Sequence, residues 1–124
     1  MDDFEHIPEE KLGSVKISDE VIAICAINAT IRTPGVANMT GGLSDSITKT
    51  IMGKDPLSKG VKVNQSDDGI EVDVYVIVDY GVKIPQVAWE IQGRVKKEVE
   101  SMTDREVTAV NIHVQGVEAP EKEI

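Results

Sequence analysis

The side chains in this sequence that most readily do chemistry are two histidines, one cysteine and a few carboxylates spaced along one run. His6 lies among Asp2, Asp3, Glu5, Glu9 and Glu10, and His113 falls in Val110-Asn111-Ile112-His113-Val114. Neither has a cysteine or a second histidine at ligand spacing, so no metal site is expected. Cys25 is enclosed by Val21-Ile22-Ala23-Ile24 and Ala26-Ile27, the setting of a buried, inert thiol. As the single cysteine it can form no intramolecular disulfide. A serine nucleophile would need a strained turn to present it, and no Gly-x-Ser-x-Gly elbow occurs. Glu71, Asp73 and Asp79 share one strand, but a solvated sheet face has the same composition, so paired-carboxylate catalysis is not expected. The sequence assigns no catalytic residue, no metal ligand and no cofactor.

Three stretches can hold a partner instead. Met39-Thr40-Gly41-Gly42-Leu43-Ser44 leads into a helix start whose amides can meet an anion, yet no Gly-Lys-Ser/Thr follows, and a tight turn with an N-cap is the expected reading. Lys49, Lys54, Lys59 and Lys62 make residues 49–62 the most basic segment, read as a scattered, solvated face. Trp89 stands out more. At 100° per residue it falls roughly 140° from the centre of its helix's apolar stripe, with Gly93 and Lys96 beside it. Aromatic anchors dominate interface energetics, so Trp89, Gly93 and Lys96 form the candidate partner contact. The competing expectation is that another element, such as a short helix near Ile47, covers Trp89.

These residues are positioned by a strand–helix–strand unit from Gly69 to Val117. Ile70, Val72, Val74, Val76, Val78 and Tyr80 alternate with Glu71, Asp73, Tyr75, Ile77 and Asp79, the period of two of a strand with one apolar face. Ile84-Pro85 opens a helix with proline in its first turn. Ile84, Val87, Ala88, Ile91, Val95, Val99 and Met102 then keep a period near 3.6. Alternation returns from Val107, with Val110, Ile112 and Val114 on one side and Asn111, His113 and Gln115 on the other. A crossover of this length joins two parallel strands.

Upstream, Val15 to Ile17 suits a short edge strand, and Ser18 caps a helix running to about Arg32, with Ile17 and Ile22 placed for a hydrophobic staple. That helix is apolar almost all round, which calls for burial against more than one element or in a subunit contact. Gly35–Met39 reads as a short strand, Leu43, Ile47 and Ile51 as a short helix, and Lys59–Val63 as a strand feeding a hairpin at Ser66-Asp67-Asp68-Gly69. The expected order is βαβ(α)ββαβ: an α+β two-layer sandwich, a mixed β-sheet with the two main helices on one face.

One domain accounts for 124 residues, set between a flexible acidic lead-in (residues 1–12) and a disordered acidic tail (residues 118–124), with the fold in residues 13–117. With one Phe, one Trp and two Tyr the core must be aliphatic. The net charge of −9 sits mostly in the tails, since residues 11–117 hold 14 acids against 12 bases. No surface is basic enough to follow a nucleic acid backbone. No stretch approaches the length of a membrane span, and no signal peptide opens the chain, so a cytoplasmic protein is expected.

Gly35-Val36-Ala37-Asn38-Met39-Thr40-Gly41-Gly42, Lys59-Gly60-Val61-Lys62-Val63 and Asp79-Tyr80-Gly81-Val82-Lys83-Ile84-Pro85-Gln86-Val87-Ala88 resemble the alkaline-shock/general-stress (Asp/Gls-type) family of Gram-positive bacteria. Glu100-Ser101-Met102-Thr103 and Val110-Asn111-Ile112-His113-Val114-Gln115-Gly116-Val117 resemble its closing segment. The resemblance covers about Gly13 to Val117. It implies a non-enzymatic protein of cell-envelope homeostasis that works through protein partners, among them a membrane-anchored one that recruits it to the membrane periphery, and through self-association. A second implication is a regulatory binding module for a fatty-acid synthesis enzyme or its ligand, which an apolar pocket near Cys25 would favour.

Overall fold

A computed structural model of the chain describes Pro8, residues 11–40 and residues 60–119. The turn at Gly41-Gly42, the expected short helix at Leu43–Ile51, Lys49, Lys54, Lys59, His6 and the tail from residue 120 lie outside the described residues. Six elements follow in order: α1 (Asp19–Ile31), β1 (Val36–Met39), β2 (Val61–Ser66), β3 (Gly69–Asp79), α2 (Ile84–Thr103) and β4 (Val107–Glu118). The fold is α+β, and its four-stranded sheet is mixed.

β3 is the spine of the sheet. Its strict alternation buries Ile70, Val72, Val74, Val76 and Val78 at no more than 1% exposure, the residues that pack beneath the helices. β4 runs parallel to it from Ile70/Val107 to Asp79/Glu118 and takes one whole side. β1 and β2, both antiparallel to β3, therefore share the other side, β1 against Val76–Val78 and β2 against Gly69–Val74. They meet at Tyr75, whose carbonyl accepts from Thr40 N (3.1 Å) and whose N–H donates to Gly60 O (2.8 Å). The chain leaves the sheet at Thr40 and returns at Gly60, close enough that a Cβ on Gly60 would lie 3.0 Å from Thr40 O.

Val15 to Ile17 is not a strand. Its link to the sheet is a side-chain bond, Gln65 Nε2 donating to Ile17 O at 3.0 Å, and Val15 is exposed. Without a backbone ladder the segment stays an extended lead into α1. Ser18 caps that helix, accepting from Val21 N at 3.2 Å. α1 buries Ile22, Ala23, Cys25, Ala26, Ala29 and Thr30 but leaves Val21, Ile24 and Ile31 about half exposed. Its apolar circumference is thus only half used by the described residues. α2 begins with Pro85 in its first turn and ends at Asp104 in the left-handed region (φ 62°). Val87, Ile91, Val95 and Val99 are buried as their spacing requires, whereas Met102, at the end of the same stripe, is exposed.

Candidate functional site

Two surfaces carry the polar and aromatic groups singled out by the sequence. On the face of the sheet away from the helices, parallel pairing sets Asp73 opposite Asn111 and Tyr75 opposite His113. His113 Nε2 donates to Asp73 Oδ1 at 3.0 Å, and its ring stacks on Tyr75 with centroids 4.3 Å apart and planes 10° from parallel. Asn111 Nδ2 is shared between Glu71 Oε2 (2.9 Å) and Asp73 Oδ1 (3.1 Å). Each carboxylate thus has a neutral or basic partner across the ladder, and the groups lie on an open sheet face without an aligned nucleophile. Cross-strand pairs of this kind contribute about 0.2–1 kcal/mol each. Among the described residues, no group of three or more His, Cys, Asp or Glu is placed to hold a metal ion.

The sequence already put Glu71, Asp73 and His113 on polar strand faces. It could not show that they meet, because contact depends on the β3–β4 register, which carries shifts between Ile70 and Glu71 and between Val76 and Ile77.

The second surface is the flank of α2. Trp89 is 72% exposed. One turn on, a Cβ at Gly93 would meet nothing within 4 Å, so packing does not demand the glycine there. Trp89, Glu90, Gln92, Gly93, Arg94 and Lys96 border a shallow depression of about 470 Å³. Its aromatic wall and the cations Arg94 and Lys96 suit an apolar side chain flanked by acids. Lys96 is not a free cation: Nζ donates to Glu100 Oε2 (2.9 Å) and to Val107 O (2.8 Å).

Two residues of this flank escaped the sequence reading. Glu100 Oε2 also accepts from Val107 N at 2.9 Å, and Gln92 Nε2 donates to Val110 O at 3.0 Å. Gln92, Lys96 and Glu100 each follow a buried residue of the stripe (Ile91, Val95, Val99), a polar row at the same spacing of four. That row was the available signal. The Val107 N–H, and after it the Lys96 ammonium, hold the Glu100 carboxyl below its ordinary range.

Cys25 belongs to the core with Ile22, Ala26 and Ala29. Burial first, and the charge of Glu98 second, push its thiol up, the opposite of an activated nucleophile. The hollow between α1 and α2, lined by Ala29 one turn on from Cys25, is also bordered by Arg32, Arg94, Lys97 and Glu98 and is not an apolar pocket. Among the described residues, no helix is long and apolar enough to cross a membrane.

Comparison with known proteins agrees with the resemblance drawn from the sequence. The chain is 39% identical over 107 residues to the protein YqhY of Bacillus subtilis (strain 168), covering 86% of this chain and 78% of that one. It is 24% identical over 110 residues to a stress response regulator gls24 homolog of Streptococcus pyogenes, covering 89% and 62%. A solved MamM-CTD structure superposes with a TM-score of 0.48 at 19% identity, covering 84% of this chain and all of that one. The family model of the alkaline-shock protein 23 family, described by its cell envelope-related function, matches residues 8–119, and the chain belongs to that family.

Proposed function

We propose that this chain works without catalysis, as an interaction protein of the cell-envelope stress response. Its contact surface is the outer flank of α2, centred on Trp89, Gly93 and Lys96. Through partners that include a membrane-anchored protein, it is held at the membrane periphery from the cytoplasmic side. The observation that carries this reading is Trp89, an indole 72% exposed on a long helix beside an uncrowded glycine. A solvent-exposed tryptophan contributes little to folding, and the same side chain buried at an interface supplies 2 kcal/mol or more, on the order of a hot spot. The family's envelope-related function supplies the setting. The polar cluster of Asp73, Tyr75, Asn111 and His113 supports a non-enzymatic role, because its groups satisfy one another on an open surface.

The test is crosslinking in cells followed by pulldown and mass spectrometry, with the wild-type chain beside Trp89→Ala. The expected result is an envelope protein crosslinked to the wild type and lost in the variant, together with loss of the chain from the membrane fraction. A variant that keeps the same partners would remove the α2 flank from the proposal. A wild-type chain with no envelope partner would remove the proposal itself.

A further inference from the structure

Among the described residues, β4 has one neighbour. β3 lies along one of its sides, and its other side is a margin of the sheet. The first half of that margin is covered by α2, since Val107 N and O are bonded by Glu100 and Lys96 and Val110 O by Gln92. Pairing to β3 continues without a shift from Val110 to Val114. Strand alternation therefore turns the backbone N–H and C=O of Ile112 and Val114 the same way as those of Val110, away from β3. Among the described residues, no side chain reaches them. An open margin of this kind is a template for another strand, and β4 carries none of the lysines or prolines that usually blunt one.

Trp89 stands at the point where the cover stops. At 100° per residue, Trp89, Lys96 and Glu100 fall within about 40° of one another around the helix. Lys96 and Glu100 reach the margin at Val107. Trp89 lies two turns before Lys96, roughly 10 Å along the axis and about three residues of strand, which sets it beside Val110 to Ile112.

We propose that this margin is a dimerisation edge and that its occupant is a second copy of the chain, added antiparallel through β4 about a two-fold axis near His113. The inference rests on reading the chain as an interaction protein and makes a second copy one of the partners of the α2 flank. Ile112 of each copy then faces Val114 of the other, and about four backbone hydrogen bonds close the seam. Two features select a second copy over any other strand. Val117 pairs with the core residue Val78, so its half-exposed side chain lies on the helix side of the sheet. Antiparallel addition carries Val117 of the second copy back to the level of Val110, against Trp89 and Gly93. The sequence after Val117 is acidic, with Glu118, Glu121 and Glu123, opposite in sign to Arg94, Lys96 and Lys97 on the flank. The two-fold makes both contacts twice.

The experiment measures the mass of the full chain in solution by light scattering and amide exchange by nuclear magnetic resonance. In Val114→Pro the lost N–H belongs to the margin and not to the β3 ladder, so the fold tolerates it. Trp89→Glu attacks the side-chain contact, and Ser101→Glu, on an exposed part of α2 away from β4, is the control. The expected result is twice the chain mass for wild type and Ser101→Glu, and a single mass with an unchanged circular dichroism spectrum for the other two. If Val114→Pro does not fold, Trp89→Glu decides together with exchange. The Ile112 and Val114 amides should exchange slowly in the wild type and at least about tenfold faster in that variant. A wild-type monomer, a dimer that survives Trp89→Glu, or fast exchange of these amides within the dimer overturns the inference. A monomer that still shows a Trp89-dependent envelope partner overturns the dimer and leaves the proposed function standing. A β4 dimer without an envelope partner does the reverse.

Discussion

Trp89 and Ile91 stand two residues apart on α2, one 72% exposed and the other fully buried, and truncating each should give opposite results. A tryptophan presents up to about 250 Å². The covered 28% of Trp89 is then about 70 Å², which at about 25 cal/mol per Å² limits its contribution to folding to roughly 2 kcal/mol. Alanine keeps part of that cover and has the better helix propensity by a few tenths of a kcal/mol. In the chain held dilute enough to be monomeric, Trp89→Ala should therefore cost about 1 kcal/mol or less. Ile91→Ala removes buried methyl groups beneath the sheet and leaves a cavity, at a cost of about 2–5 kcal/mol. Urea unfolding followed by circular dichroism separates the two. With a slope near 1.5 kcal/mol per M, the midpoint should fall by about 0.5 M for Trp89→Ala and by about 2 M for Ile91→Ala. A Trp89→Ala midpoint as low as that of Ile91→Ala would refute the assignment of Trp89 to a free surface. It would show the indole covered in solution by part of this chain.

Further outcomes follow from the same geometry. The folded-state pKa of Glu100 is depressed by Val107 N–H and Lys96, so its contribution is complete above its ordinary value of 4.5 and is lost as pH falls below that. Glu100→Gln should flatten the acid limb of a stability–pH profile below about 4.5, and an unchanged limb would count against the clip between α2 and β4. Gly69 has φ 141°, and a Cβ there would lie 2.6 Å from Glu106 O. Gly69→Ala should cost about 1–3 kcal/mol in strain alone and lower the melting temperature, and a melt matching wild type would contradict this geometry at the hairpin turn. Cys25, buried and with its thiol pushed up, should resist alkylation in the native chain and react only on unfolding. Labelling at native conditions would show that α1 opens.

What the sequence determined by itself, among the described residues, was the elements with a sustained local period or a local cap. The alternation of β3, the fourfold-spaced valines and isoleucine of α2, Ser18 as N-cap and the parallel crossover to β4 were all legible, because each follows from chain geometry repeated over a few residues. The position of Trp89 off the apolar stripe was legible for the same reason, but whether another element covers it was not, and the structure leaves it 72% exposed. Tertiary structure alone decided how separate segments meet. Val15 to Ile17 had strand-like composition but found a side chain in place of a ladder, since pairing needs a free edge in register and not just a propensity. The placing of β1 beside β2 on one side of β3 depends on partners about 35 residues apart in the chain, Thr40 and Tyr75. Lys96, placed by the sequence beside Trp89 on the outer helix face, is tied to the margin of β4. The stacking of Tyr75 on His113 and the open backbone of Ile112 and Val114 likewise come from register, and register is set by the whole sheet closing over its core.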